Sequence, residues 1–335
     1  MLPIAMTMGA SSYLIYHSLS GLHSLGCFLS DAMGMIQPLL IFLMLFLTFC
    51  TLEPKDLKPH RWHWWLLLIQ GGMFAVLGLI AVSVIKFFPA ASEGWRVMME
   101  SAMLCFICPT ATAAAVVTRK LGGDVPGITT YIVLINLLTA ILVPLVIPMI
   151  QPESSLGFWV SFKLILAKVF PLLITPCLCA WLVRYLLPGL HRKLLSYPDL
   201  AFYIWAVALT FAIAVTTKSI VNSTMPAGLI LVMASASLVC CVVQFAAGRF
   251  VGSQYKPRRG ASNAENEAEL LQRGKAVRKI TAGQSLGQKN TVFAIWLGYT
   301  FMTPETAIVG GLYSIWHNIY NSWQLNRSNN DMVSK

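Results

Sequence analysis

The chain has 335 residues, of which 57% are apolar and only 11% are charged. Soluble proteins carry about a quarter of their residues as charges, so this composition excludes an ordinary soluble domain and indicates an all-α, polytopic membrane protein. The net charge of +11 lies mainly in alternate loops between apolar runs, which is typical of membrane topology and argues against nucleic-acid binding.

Apolar runs of about 20 residues, the length that crosses a bilayer core, predict ten membrane-spanning helices. They lie near residues 3–20, 34–52, 64–86, 97–118, 126–149, 157–186, 199–217, 225–248, 281–302 and 304–325. Loops on one side hold 18 lysines and arginines, and loops on the other side hold three. Because cytoplasmic loops are enriched in positive charge, both termini are predicted to be cytoplasmic. The polar loop 253–279 is interpreted as a cytoplasmic linker with a short helix, or alternatively as a partner site.

Two of the predicted spans are interrupted. The fourth has Pro109 in its middle, and proline removes a backbone donor and clashes with the preceding turn, so this helix is predicted to break near Cys108. The ninth is polar or glycine at almost every position from 281 to 291, where Gly283 and Gly287 are free to leave helical geometry. A freed backbone at membrane depth requires protein or a water-filled cavity around it.

The two interrupted spans occupy matching positions, because each is the fourth of five when the chain is divided into halves. Interrupted spans at corresponding positions indicate a transporter's binding site, and the N-termini of half-helices favour an anionic ligand. The alternative is a pair of ordinary kinked helices in an unrelated bundle. The eight cysteines lie mostly in apolar runs and are interpreted as small apolar side chains rather than as a metal site.

Three motifs carry a resemblance to a known family. The fourth span contains "CPTATAAAVVTRKLGGDV" from Cys108, the ninth contains "GQKNT" from Gly287, and the tenth contains "YSIWHN" from Tyr313. In this order and spacing they resemble the signatures of the bile acid:sodium symporter family. The resemblance implies two inverted five-helix repeats, 1–152 and 153–330, with helices four and nine crossing at mid-membrane. It also implies uptake of a small organic anion (bile-acid-, keto-acid- or pantothenate-like) by alternating access, in the cell inner (plasma) membrane.

The chain departs from this family where sodium is bound. The resemblance aligns the family's sodium ligands on helices four and five with apolar residues: Ala114, Ala115, Ile128 and Ile132. The ninth-helix glutamate and glutamine correspond to Ser285 and Lys289, and Gln70 on the third helix is the one remaining side-chain ligand. Lys289 is therefore interpreted as a built-in cation that replaces sodium. The alternative is that it extends toward water or pairs structurally with a carboxylate.

The positions that contact substrate in the family are better retained. The resemblance matches Thr112, Asn290, His317 and Asn318 to these positions, and the predicted substrate-binding set adds their neighbours Thr110, Gln288 and Thr291. Such side chains can donate hydrogen bonds to a carboxylate or sulfonate. The alternative is that they only hold helices four, nine and ten together, at about 0.6 kcal/mol for each bond.

The sequence thus predicts a secondary transporter of a small organic anion in a lipid bilayer, without conventional sodium coupling. Proton coupling, facilitated diffusion or exchange would then drive it. One alternative is a sodium-coupled symporter that uses Gln70, Ser285 and backbone carbonyls, and a second is a transporter-like membrane sensor or scaffold. No metalloprotease motif, nucleophile elbow or intramembrane carboxylate pair is found in the sequence, so neither an enzyme, a cofactor nor a metal site is expected.

Overall fold

The computed structural model describes residues 2–18, 23–88, 93–150, 157–197, 200–255 and 264–333. These residues form 13 α-helices, one 3-10 turn at Pro54–Asp56 and no β-strand. The first six helices are α1 (Leu2–Ser18), α2 (His23–Cys50), α3 (Arg61–Phe87), α4 (Glu93–Ile107), α5 (Ala113–Lys120) and α6 (Val125–Ile150). The others are α7 (Phe158–Leu186), α8 (Pro188–Leu195), α9 (Leu200–Val221), α10 (Ala227–Gln254), α11 (Ala264–Gly287), α12 (Thr291–Phe301) and α13 (Pro304–Val333).

Five of these helices, α3, α6, α7, α9 and α10, are long and apolar enough to cross a membrane. Two shorter apolar helical stretches, 35–50 and 291–301, lie in α2 and α12. The long helices present large apolar side chains on their outer faces, such as Leu79, Leu178 and Phe250. Such faces are stable in contact with lipid, so the chain is a multi-pass membrane protein.

The helices pack in two sets, which also contact each other through α6–α7 and α9–α13. In one set α2 contacts α7 and α9, and α9 also contacts α1. In the other, α3 contacts α4 and α6, while α13 contacts α4, α10 and α12. The α10–α11 hairpin belongs to the second set. The interrupted helices therefore lie among α3, α6, α10 and α13.

The fourth and ninth predicted spans are each divided in two by the fold. The first ends at Ile107 and resumes at Ala113, around the proline as expected. The second is interrupted at residues 288–290, after the two glycines that were expected to loosen it. The polar segment before it is helical from Ala264, so the short helix expected in the linker is the beginning of α11.

Gly283 and Gly287 stay helical because they serve packing instead. A Cβ at Gly283 would lie 2.7 Å from the Cγ of Arg249, and one at Gly287 would lie 2.3 Å from the ring of Phe245. On the facing helix, a Cβ at Gly248 would lie 2.3 Å from the carbonyl oxygen of Ala282. Glycines four residues apart let α10 and α11 approach more closely than any larger residue would permit.

The end of α2 is held by side chains from another part of the chain. The carbonyl oxygen of Cys50 accepts hydrogen bonds from Arg184 Nη2 at 3.3 Å and from His191 Nε2 at 2.9 Å. Arg184 also lies 3.8 Å from Glu53. Because the last carbonyls of a helix lack partners within it, these donors stabilise the α2 terminus and attach it to α7 and α8.

Candidate functional site

The candidate site is the point where the two interruptions meet. The amide of Asn290 donates to the carbonyl of Pro109 at 2.8 Å, and the amide of Ala111 donates to the carbonyl of Gln288 at 3.0 Å. Thr110 and Lys289 thereby form an isolated antiparallel β-bridge. Each interruption supplies the backbone partners that the other has lost, which satisfies the requirement for freed backbone groups inside a membrane protein.

Side chains from α3 and α6 support the end of α4. Gln70 donates through Nε2 to the carbonyl of Cys108 at 2.9 Å, and its Oε1 accepts from the hydroxyl of Tyr131 at 3.0 Å. The hydroxyl of Thr139 donates to the carbonyl of Ile107 at 3.0 Å. Gln70 thus uses its amide as donor and its oxygen as acceptor within the protein.

The end of α11 and the start of α12 are held in the same way. The hydroxyl of Thr110 donates to the carbonyl of Ser285 at 2.5 Å, and the hydroxyl of Tyr313 donates to the carbonyl of Gly287 at 2.8 Å. Asn290 is the N-cap of α12, because its Oδ1 accepts from the amide of Phe293 at 3.2 Å. These bonds satisfy helix-terminal groups that no longer have partners within their own helix.

Lys289 is buried at this crossing, with 1% of its surface exposed. Its ammonium donates to the carbonyl of Phe106 at 3.3 Å, and no carboxylate of the described residues pairs with it. Four thiols lie near enough to interact with it electrostatically: Cys105, Cys108, Cys240 and Cys241. Beside it is a cavity of about 10 Å³, roughly the space that one water molecule requires.

Other predicted site residues are also buried, and several of their polar atoms have no hydrogen-bond partner. Gln288, Thr291 and the α13 pair His317 and Asn318 are each at most 5% exposed. Neither ring nitrogen of His317 has a hydrogen-bond partner, and the same holds for Asn318 Oδ1, Gln288 Oε1 and Ser285 Oγ. Buried polar atoms nearly always have partners, so these atoms need water or a ligand, as do others elsewhere in the described chain, such as those of Asn136.

The structure places some of the predicted site residues at the crossing and gives others separate contacts. Thr110 and Ser285 are bonded to each other at the crossing, and Gln70 reaches it through Cys108. His317 is one ring away, because it packs edge-on against Tyr313 with the ring centroids 5.8 Å apart. Thr112 directly precedes α5 as its N-cap residue and makes no side-chain capping bond. Asn318 bonds to Ser314 within α13.

One polar residue of the site, Gln244, and one buried acid elsewhere on α4, Glu100, were not among the predicted site residues. Gln244 on α10 donates through Nε2 to the carbonyl of Cys105 at 3.1 Å and to the hydroxyl of Tyr313 at 3.2 Å. Glu100 on α4 is fully buried and accepts from the hydroxyl of Thr306 at 2.8 Å, with Arg96 Nε at 3.5 Å. The available signal was a glutamine in the middle of the apolar run "VCCVVQFAAG" and an acid near the start of the fourth span.

These features define a polytopic membrane protein in which two interrupted helices meet among long apolar helices, the arrangement found at the binding sites of secondary transporters. A family model described as "Sodium Bile acid symporter family" matches residues 38–223, more than half of the chain. The chain therefore belongs to the sodium bile acid symporter family. The match includes Gln70 and Thr110 and ends before Lys289. The chain has no significant match among curated proteins.

Proposed function

We propose that the chain is a secondary transporter of a small organic anion, in which Lys289 supplies the positive charge that sodium provides elsewhere in the family. One observation carries the proposal: a lysine is buried where two interrupted helices meet, and no described carboxylate neutralises it. A charge at bilayer depth costs at least about 2.5–3.5 kcal/mol on insertion scales. A cost of this size points to a functional role for the residue.

The proposed architecture is ten spans in two inverted repeats, residues 1–152 and 153–330. In the first, the interrupted pair α4/α5 precedes the long helix α6, and in the second the interrupted pair α11/α12 precedes α13. The repeated order supports a common five-span plan for both halves. The charge asymmetry of the loops supports cytoplasmic termini, and the family favours the cell inner membrane and a transport role rather than catalysis.

The proposed anion site combines Lys289 with two helix N-termini. The helices α5 and α12 both begin beside the crossing, and the first amides of a helix carry partial positive charge. Donors for the oxygens of a carboxylate or sulfonate are available from the seven predicted substrate-binding residues, of which Gln288, His317 and Asn318 have unpaired buried atoms. Displacement of water from such atoms by a ligand is the proposed binding event.

A sodium-coupled symporter is the second candidate, and the family description favours it. Two contacts argue against it in this chain. The Gln70 oxygen already accepts from Tyr131, and the carbonyl of Phe106 already accepts from Lys289. Each of these two oxygens keeps a second lone pair, and Ser285 Oγ is the predicted coupling oxygen that takes part in no hydrogen bond.

The test is ligand stabilisation of the purified protein by taurocholate, 2-keto acids and pantothenate, measured in sodium and in potassium buffers. A ligand at 100 times its Kd stabilises the native state by about 2.7 kcal/mol. We expect one of these anions to stabilise the wild type equally in both salts and to bind Lys289→Gln at least tenfold more weakly. Lys168→Gln is the matched control, because Lys168 is an intramembrane lysine of α7 that lies over the ring of Phe301. Stabilisation that requires sodium, or equal binding to Lys289→Gln, would refute the lysine assignment.

A further inference from the structure

A second site lies away from the crossing, on the surface of the α10–α11 hairpin. It is an open groove of about 460 Å³, within the size range of small-molecule sites. Its apolar part consists of Val242, Ala246 and Phe250, which are exposed on successive turns of α10. Its polar part consists of Arg249, Ser253 and Lys279. The groove is therefore apolar along one end and cationic at the other.

The two cations of the groove, Arg249 and Lys279, have no ion-pair partner among the described side chains. The stem of Arg249 lies against Gly283 of α11, one helical turn from Lys279, so both cations border the same opening. Two unpaired cations beside a hydroxyl make a site for a phosphate group, since guanidinium and ammonium groups both bind phosphate.

The length of the groove matches one leaflet of a bilayer. Along α10, Ser253 and Val242 are eleven residues apart, which is about 16 Å at the helical rise. The hydrocarbon core of a bilayer is about 30 Å thick, or about 15 Å for each leaflet. Because Ser253 is next to the last residue of α10, the cationic end lies toward the helix terminus and the apolar end toward the middle of the span.

We propose that this groove binds an anionic phospholipid. Its phosphate lies between Arg249 and Lys279, its headgroup contacts Ser253, and an acyl chain follows Phe250, Ala246 and Val242. Basic pockets between membrane helices on the cytoplasmic side are suited to anionic headgroups. The groove adjoins Phe245, which packs against Gly287 just before Lys289, so the lipid contacts the hairpin that carries the crossing.

The test is native mass spectrometry of the detergent-solubilised full chain, titrated with phosphatidylglycerol and with phosphatidylcholine of identical acyl chains. We expect the wild type to bind phosphatidylglycerol more tightly. A basic residue near the membrane surface strengthens anionic-lipid binding on the order of fivefold. Arg249→Gln with Lys279→Gln should therefore weaken phosphatidylglycerol binding about 25-fold and leave phosphatidylcholine binding unchanged.

Two further variants separate this site from a general effect of charge. Arg192→Gln with Lys193→Gln removes the same charge from exposed positions of α8 and should keep the preference for phosphatidylglycerol. Ala246→Trp fills the apolar end, retains both cations, and should reduce binding of the lipid. A titration with inorganic phosphate as competitor tests whether the groove binds a lipid or free phosphate. Equal binding of the two lipids, equal loss in the α8 variant, or displacement of the lipid by millimolar phosphate would each overturn the proposal.

Discussion

The close approach of α10 and α11 at Gly287 makes Gly287→Ala a sharp test of the packing. A Cβ at residue 287 would lie 2.3 Å from the Cγ of Phe245 and 2.5 Å from both Cδ atoms, more than about 1 Å short of the usual 3.5–4.0 Å contact between carbon atoms. The ring has little room to retreat, because it packs on Tyr320 with the centroids 4.3 Å apart. Overpacking of this kind costs about 1–3 kcal/mol, and we expect Gly287→Ala to destabilise the protein by about 2–3 kcal/mol.

The assay is reversible unfolding in mixed micelles with increasing sodium dodecyl sulfate, followed by tryptophan fluorescence. Gly72→Ala is the matched control, because Gly72 lies inside α3 and a Cβ there meets nothing within 4 Å. Replacing such a helical glycine by alanine stabilises proteins by about 0.4–1 kcal/mol, so the two variants should shift stability in opposite directions.

A double-mutant cycle identifies the atom responsible. Phe245→Ala removes the Cγ and both Cδ atoms that Gly287→Ala would meet, so the double variant should be little less stable than Phe245→Ala alone. Contacting residues have coupling energies of about 0.5–3 kcal/mol, and we expect a value near 2. Equal stability of Gly287→Ala and Gly72→Ala, or additive effects in the cycle, would refute the close approach of the two helices.

Three other predictions concern single hydrogen bonds and use the same unfolding assay. Thr306→Val removes a donor to the buried Glu100 and should lower the free energy of unfolding by about 1.5–3 kcal/mol. Thr306→Ser keeps the hydroxyl and should lower it less, so equal effects would contradict the role of the hydroxyl. His191→Phe removes a donor to the Cys50 carbonyl and should cost about 1 kcal/mol, and an unchanged stability would show that Arg184 suffices. Asn290→Ala removes the N-cap of α12 and should lower the free energy of unfolding by about 1 kcal/mol, while Asn290→Ser should keep most of the stability. Unchanged stability of Asn290→Ala would exclude the cap.

Some features of the fold followed directly from residue chemistry. Pro109 has no backbone donor, so a break beside it was predictable without knowledge of tertiary contacts, and α4 does end at Ile107. The all-helical membrane class followed from apolar runs of bilayer length, and the family from three motifs in order. The partnership of Thr110 with Ser285 did not follow, because residues 175 positions apart leave no local signal of contact.

The position of the second break shows why glycine is a weaker predictor than proline. Glycine permits a non-helical conformation but does not require one, and at Gly283 and Gly287 the absence of a side chain is used for helix packing. The environment of Lys289 could not be predicted either, since its four neighbouring thiols come from the end of α4 with the residue after it and from α10, which are far apart in the sequence. The partner of Glu100 was equally hidden, because Thr306 belongs to a helix that follows about 200 residues later.

The reciprocal bonds between the two interruptions also constrain how the chain is made. The carbonyl of Pro109 leaves the ribosome about 180 residues before the amide of Asn290, its partner. At a synthesis rate of about 5–20 residues per second, the first half waits roughly 10–40 s for the second. During that interval the backbone around Pro109 has no partner from the second half and must be solvated, or held by other helices or by an insertion chaperone. Completion of the crossing is therefore one of the last events of biosynthesis, and a chain truncated before residue 288 would lack these backbone bonds entirely.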